Sequence, residues 1–265
     1  MKADDITAAN RAAWEEAAPL HRKQNMAGLL ERFGQPGYSC LDDIETGILN
    51  GIGLAGRDVA QLCCNNGREL VSVKNLGAAR CVGFDGSEDF VAQTHELAAA
   101  ADADNEFVCC DLYDIAPEFD ASFDLVTVTI GVFGWMPDLA GFFSVAARLL
   151  RPGGILFIYE QHPILGMIEP GKRDDPVVWK YDYFDKKPII DTDGLDYFGD
   201  GTYESKPKYW IIHKMSDVIM AALDNAFTVT HFEERPGHIS NTWYNVEHQG
   251  PLLPMSYTLL LTKPI

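Results

Sequence analysis

Residues 58–69 read DVAQLCCNNGRE, and this stretch decides the fold class. An apolar run leads into the small and polar residues 63–67, and a helical pattern begins directly afterwards. The pattern predicts a strand, a tight turn and the start of a helix. Backbone N–H groups at a helix start lack intrahelical partners and carry the positive end of the helix dipole, so they suit a carboxylate or a phosphate. Doubly wound α/β sheets bind their ligands at turns of this kind.

Two cofactor classes use this geometry, and the spacing of glycines separates them. The dinucleotide fingerprint G-x-G-x-x-G requires glycines where this sequence has Cys63, Asn65 and Arg68, which disfavours NAD. The stretch instead resembles motif I of the class I S-adenosylmethionine-dependent methyltransferases, in an uncommon variant. The family pattern D-x-G-x-G-x-G becomes Gln61, Cys63, Asn65 and Gly67, so only the last glycine is kept. A packed core strand that ends in two cysteines is the alternative interpretation.

Two aspartates follow the next two predicted strands. Asp85 closes the strand ARCVGFD, where a carboxylate is placed to accept hydrogen bonds from ribose hydroxyls. Asp111, followed by Leu112, closes NEFVCCD and resembles the family position that contacts adenine. The resemblance implies a cofactor site made of Gln61, Cys63, Cys64, Asn65, Asn66, Gly67, Asp85, Gly86, Asp111, Leu112, Ile130 and Gly131.

The most specific resemblance lies in residues 121–163. A buried strand preceded by Phe-Asp is followed by a helix over 138–150, and the segment LLRPGGILFI then resembles the family's entry into strand five. The implied fold is α/β, a Rossmann-like seven-stranded sheet of order 3-2-1-4-5-7-6 with the last strand antiparallel. Helices cover both faces, and a strand-rich insertion follows strand five.

The predicted organisation has four parts. Residues 1–54 form an N-terminal helical cap, 55–160 the S-adenosylmethionine-binding core, 161–213 a substrate-covering insertion, and 214–265 the C-terminal part of the core. Within the cap, residues 5–32 predict a helix broken at Pro19. In the family such a helix lies over the cofactor, which would bring Trp14 and His21 to the cofactor site; ordinary packing is the alternative.

Methyl transfer needs a nucleophile in line with the methyl group, and a hydroxyl or poor amine also needs a base. Glu160 and His162 follow strand five at the expected edge of the sheet, and both are candidates for this base. His21 and His238 are further candidates from the covering segments, where Asn241, Trp243 and Tyr244 also occur. Trp135 is a candidate wall of the transfer pocket. No pattern of metal ligands is present, so no metal is expected.

Charge and composition exclude several classes of partner. The 265 residues carry a formal charge of -18, which disfavours nucleic acid and anionic lipid. Six cysteines without a C-x-x-C pattern predict free thiols, and no apolar leader or membrane span is present, so a cytoplasmic location is expected. The aromatic and acidic insertion suits a small-molecule methyl acceptor, although a structural flap or a homodimer surface fits it too. The alternatives are a non-catalytic S-adenosylmethionine-binding module and a nucleotide-dependent oxidoreductase.

Overall fold

A computed structural model describes residues 2–196, 203–237, 240, 242–250 and 252–265. The strands are β1 (Asp58–Leu62), β2 (Arg80–Asp85), β3 (Glu106–Cys109), β4 (Phe123–Thr129), β5 (Leu150–Gln161), β6 (Ile189–Asp193), β7 (Glu204–Trp210), β8 (Thr228–Arg235) and β9 (Ser256–Thr262). The α-helices are α1 (Ala3–His21), α2 (Ala27–Phe33), α3 (Asp43–Ile52), α4 (Arg68–Asn75), α5 (Glu88–Ala100), α6 (Leu139–Leu149), α7 (Met215–Asp224) and α8 (Tyr244–Gln249).

Seven of the strands form one sheet in the order β3-β2-β1-β4-β5-β9-β8. The pairs among β1 to β5 are parallel, whereas β9 runs antiparallel to both β5 and β8. Because β6 and β7 pair with each other in a separate sheet, the large sheet has the order predicted from the sequence, with its last strand antiparallel. The predicted fold class is therefore confirmed.

Apolar side chains of the central strands point alternately to the two faces of the sheet, and helices cover both faces. Val59, Leu125 and Phe157 point to a core formed with α2 to α5, whereas the neighbouring residues Ala60 and Val126 point to a core formed with α6 and α7. Neighbouring side chains of a strand face opposite sides, so each strand contributes to both cores. This burial holds the carboxyl ends of β1, β2 and β4 side by side.

The segment between β5 and α7 packs against the end of the sheet. It begins with a 3-10 turn, Pro163–Met167, and includes the β6–β7 hairpin. Trp243 is buried, and its indole N–H donates to the carbonyl of Ile168, so this tryptophan anchors the start of the insertion. Tyr244 begins helix α8 and stacks on His248, whereas His238 and Asn241 lie outside the described residues.

One local prediction was wrong. Helix α1 continues through Pro19 to His21, and a π-helical turn, Arg22–Met26, then joins it to α2. The missing N–H of proline therefore weakens the helix without ending it, and the irregularity follows one turn later. The RPGG segment lies within β5: Leu150 and Ile155 both pair with β4, and the register of this pairing shifts between them.

No helix in the described ranges is both long enough and apolar enough to cross a membrane.

Candidate active site

A cleft of about 860 Å³ opens at the carboxyl ends of β1, β2 and β4, and α1 covers it. Ligands of open α/β sheets bind at this edge. The residues that line it are Thr7, Asn10, Arg11, Trp14, Cys63, Asn65, Asp85, Gly86, Ser87, Phe90, Cys110, Asp111, Leu112, Tyr113, Ile130, Gly131, Val132, Trp135 and Met136.

The turn after β1 keeps a glycine-type backbone although two of its residues are not glycine. Cys63, Asn65 and Gly67 have φ angles of 55°, 50° and 74°, all in the left-handed region. That conformation brings Cβ too close to the next carbonyl oxygen, and Asn tolerates it better than most residues. The three positions are those where the family pattern has glycines. The turn therefore has a left-handed backbone at all three positions, with strain at Cys63.

Gly67 is required for packing as well as for conformation. A Cβ atom built on it would lie 2.8 Å from a ring carbon of Phe107 and 3.0 Å from the methyl group of Thr94. The close approach holds the start of α4 against α5 and β3. As a result, the N-terminus of α4 is fixed directly behind the turn.

Asp85 holds the turn in place from the end of β2. One carboxylate oxygen accepts a hydrogen bond from the Asn65 N–H at 2.7 Å, and the other accepts from the Ser87 N–H at 3.0 Å. Burial raises the pKa of Asp85, and these N–H donors oppose the shift. A carboxylate has about four acceptor positions, so Asp85 can still accept from a bound hydroxyl. Asp111, at the end of β3, accepts from the Tyr113 N–H and lines the same cleft.

Helix α1 forms the roof of the cleft with one face. Thr7, Asn10, Arg11 and Trp14 are spaced three and four residues apart, so they lie on the same side of the helix. Asn10 is 4% exposed, and its amide nitrogen donates to the carbonyls of Trp135 and Tyr209. Its amide oxygen accepts from the N–H of Tyr209. One side chain thus joins the cap, the loop after β4 and the insertion.

Aromatic rings surround the end of the cleft next to that loop. The ring of Trp135 lies edge-on to Trp14 at 5.5 Å between centroids and to Trp210 at 4.9 Å. Trp14 also contacts Phe90 at 6.0 Å. Aromatic faces attract cations, so this end suits a positively charged ligand group such as a sulfonium.

Glu160 is buried, and its carboxylate organises the loop after β4. Its oxygens accept hydrogen bonds from the N–H groups of Gly131 (2.5 Å), Val132 (2.7 Å), Phe133 (3.2 Å) and Gln161 (2.7 Å). Burial raises the pKa of Glu160, and the four N–H donors oppose the shift. The carboxylate therefore shapes the cleft wall at Gly131 and Val132 without itself lining the cleft.

Neither His162 nor His21 lines the cleft. His162 accepts from the Ile164 N–H through Nδ1, and its Nε2 lies 2.9 Å from a carboxylate oxygen of Glu234. His21 is buried, and its Nε2 lies 2.5 Å from the carbonyl oxygen of Leu195. Burial lowers the pKa of both rings. His162 thus braces the turn after β5, and His21 braces the cap against the insertion.

The remaining predicted cofactor residues occupy three kinds of position. Those that meet in the cleft are Trp14, Cys63, Asn65, Asp85, Gly86, Asp111, Leu112, Ile130 and Gly131. Cys64, Asn66 and Gly67 form the body of the turn, behind the lining surface. Gln61 is buried at the end of β1 and donates from its amide nitrogen to the Thr129 hydroxyl. Its amide oxygen has no hydrogen-bond partner among the described residues.

Several lining residues were missing from the predicted site. Thr7, Asn10 and Arg11 share a helix face with Trp14, so the spacing from Trp14 was a signal that could have identified them. Tyr113 and Met136 lie in loops after strands, and only the folded chain shows that they reach the cleft. No group of three or more His, Cys, Asp or Glu side chains that could hold a metal ion occurs in the described part of the chain.

Residues 60–158 match the family model described as a methyltransferase domain. This segment is therefore similar to a methyltransferase domain, and the match covers 99 of the 265 residues. The matched segment contains the turn after β1, both cleft aspartates and the loop after β4. A search of curated proteins finds no match to the sequence.

Solved structures of methyltransferases share the fold of this chain. An S-adenosylmethionine-dependent methyltransferase from Mesorhizobium loti is 21% identical, with 83% of this chain and 97% of that chain covered and a TM-score of 0.60. A putative S-adenosylmethionine-dependent methyltransferase from Listeria monocytogenes is 16% identical, with 83% of this chain and 100% of that chain covered and a TM-score of 0.59. The 1,6-didemethyltoxoflavin-N1-methyltransferase of Burkholderia thailandensis is 14% identical, with coverages of 100% and 92% and a TM-score of 0.61.

The residues of the cleft fit S-adenosylmethionine. Asp85 keeps acceptor positions that suit hydroxyl groups. The aromatic end suits the sulfonium. The donor and acceptor chemistry of the site therefore agrees with the family match.

Proposed function

We propose that the chain is an S-adenosylmethionine-dependent methyltransferase and that it acts on a small molecule. The observation that supports this best is the roof, because Asn10 ties α1 to the loop after β4 and to β7 through three hydrogen bonds. A covered cleft admits a compact acceptor more readily than a polymer. The net charge of -18 also disfavours a nucleic-acid substrate.

In this proposal each strand end binds a different part of the cofactor. Asp85 accepts hydrogen bonds from the ribose, Asp111 and Leu112 hold the adenine, and the turn at 63–67 with Gln61 holds the amino-acid end. The division into a cap (1–54), a core (55–160 and 214–265) and a substrate-covering insertion (161–213) belongs to the same proposal. The cytoplasm is the proposed location, because the six cysteines are all free and reducing conditions keep thiols in that form.

The cofactor, when bound, supplies an electrophilic methyl group on a positively charged sulfur. The chain's own contribution is chiefly to position the reactants and to exclude water, which can supply much of the acceleration. Glu160 acts here as a positioning residue, since its oxygens are already engaged by four backbone N–H groups. His162 has the same kind of role at the turn after β5.

Label transfer tests the proposal. The full chain is incubated with S-adenosylmethionine labelled in its methyl group, together with a panel of compact phenols, amines and N-heterocycles; RNA and a protein mixture are run in parallel. We expect label in a small molecule, loss of the signal in Asp85→Ala, and full signal in the surface control Asp104→Ala.

Two outcomes would contradict this expectation in different ways. Label in RNA or protein alone would refute the small-molecule substrate. Binding of S-adenosylhomocysteine without label in any acceptor would favour the non-catalytic module.

A further inference from the structure

One basic side chain, that of Arg11, lines the cofactor cleft in the described part of the chain. The other charged residues of the lining are Asp85 and Asp111, which are both acidic. Arg11 belongs to the roof formed by α1, and its side chain is exposed. It lies on the same helix face as Trp14. A cation in this position requires a role of its own, because the cofactor site was predicted without it.

The aliphatic stem of Arg11 reaches from the roof to the floor of the cleft. A Cβ atom built on Gly86 would lie 3.2 Å from Cδ and 3.5 Å from Cγ of Arg11, and 3.7 Å from the carbonyl oxygen of Cys110. Gly86 directly follows Asp85 at the end of β2, and Cys110 directly precedes Asp111 after β3. Because position 86 has no side chain, the stem packs against the backbone there. Arg11 is therefore placed beside both strand ends that carry a cleft aspartate.

The guanidinium group of Arg11 forms no hydrogen bond or ion pair with any residue in the described ranges. The carboxylates of this region accept from backbone N–H groups instead. Glu15, one turn further along α1, accepts from the Asp89 N–H at 3.2 Å. Asp85 and Asp111 accept from the N–H groups described above. The flat face and the five N–H donors of the guanidinium are thus available to a ligand in the cleft.

Two groups of S-adenosylmethionine attract a guanidinium, namely the purine ring and the carboxylate. Arginine stacks on aromatic faces, and nucleobases stack on guanidinium planes in the same way. The position of the Arg11 stem favours the purine, because Asp85 is assigned to the ribose and Asp111 to the adenine. The carboxylate belongs to the amino-acid end, which is assigned to the turn at 63–67. The stem contacts Gly86 and not this turn.

We propose that Arg11 covers the purine ring of the cofactor, with its guanidinium plane stacked on the face of that ring. The inference rests on the proposed function, because it takes S-adenosylmethionine as the ligand of the cleft. Arg11 is then a cofactor-binding residue that the N-terminal cap supplies. Gly86 also has a defined role, since a side chain at that position would meet the arginine stem.

Calorimetric titration of the full chain and of its Arg11→Met variant tests the inference. Methionine keeps an unbranched apolar stem and lacks the guanidinium. The side chain is exposed, so we expect the variant to fold like the wild type. Affinity for S-adenosylhomocysteine should fall about fivefold, the effect of one cation–π contact at an exposed site. Arg32→Met is the matched control, because Arg32 is exposed on α2, donates to the Gly28 carbonyl and does not line the cleft. The control should bind S-adenosylhomocysteine like the wild type.

Adenosine separates the purine from the amino-acid end of the cofactor. It is titrated as a competitor that displaces S-adenosylhomocysteine, from the wild type and from Arg11→Met in turn. Adenosine has no carboxylate, so its affinity depends on Arg11 only if the arginine acts on the nucleoside. We expect the substitution to weaken adenosine and S-adenosylhomocysteine by the same factor.

Four results would overturn the inference. Equal affinity of the wild type and Arg11→Met for S-adenosylhomocysteine would exclude the contact and leave the proposed function intact. An equal loss of affinity in Arg32→Met would show that net charge, and not a contact, causes the effect. Weaker S-adenosylhomocysteine binding with unchanged or absent adenosine binding would assign Arg11 to the carboxylate. Failure of S-adenosylhomocysteine to bind the wild type would overturn the proposed function, and the inference with it.

Discussion

Replacing Glu160 by Gln should damage both the stability of the chain and its affinity for the cofactor. Each carboxylate oxygen accepts from two N–H groups, Gly131 and Gln161 on one side and Val132 and Phe133 on the other. Glutamine offers one oxygen, so its NH₂ group would face two N–H donors. A hydrogen bond to a charged group contributes about 1.5–3 kcal/mol, so two lost bonds amount to roughly 3–6 kcal/mol. The lower cost of burying a neutral group offsets part of this loss.

We therefore expect Glu160→Gln to lower the free energy of unfolding by about 3 kcal/mol, measured by urea denaturation. Affinity for S-adenosylhomocysteine should fall at least tenfold, because Gly131 and Val132 line the cleft. Glu169→Gln is the control: Glu169 forms an exposed ion pair with Lys180, and such pairs contribute 1 kcal/mol or less. Stability within about 0.5 kcal/mol of the wild type, together with unchanged affinity, would refute the role assigned to Glu160.

Three further substitutions have defined outcomes. Asp85→Ala should weaken S-adenosylhomocysteine binding by about 10- to 100-fold in calorimetry, because it removes charge-assisted hydrogen bonds; unchanged affinity would remove Asp85 from the site. Gly67→Ala should cost about 2–4 kcal/mol of stability in denaturant titrations, since φ is 74° and the new methyl group would lie 2.8 Å from Phe107; a neutral effect would contradict the packing described. Glu45 is buried beside Glu69 and Asp42, and burial raises its pKa from 4.5 to about 8. The folded chain thus keeps a proton that the unfolded chain releases, so stability should fall as the pH rises between these two values. Glu45→Gln should flatten that slope, and a slope equal to that of the wild type would exclude Glu45 as its source.

The order of the large sheet was predictable because its signals are local. Apolar strands, turn residues and helix starts recur within short distances along the chain, and β1 to β5 follow them directly. The path of α1 through Pro19 was not predictable in this way, because the packing of the cap overrides the local preference of proline. The small helix α8 has only six residues, too few for a periodic pattern.

The candidate site shows the same division. Asp85 and Asp111 end strands, and a parallel sheet brings strand ends together, so their convergence in the cleft could be predicted. The contact of Trp210 with Gly134, and the place of Tyr257 beside the insertion, depend on segments far apart in the sequence. The backbone of the turn at Cys63 and Asn65 could not be predicted for another reason. Both residues have left-handed φ angles, which are typical of glycine, although neither residue is a glycine.

Calorimetric titration with S-adenosylhomocysteine, with NAD run in parallel, tests the central claim most directly. We expect one site of micromolar affinity for S-adenosylhomocysteine and no binding of NAD. Binding of neither compound would contradict the claim, because it would show that the turn with Cys63 and Asn65 does not hold this ligand.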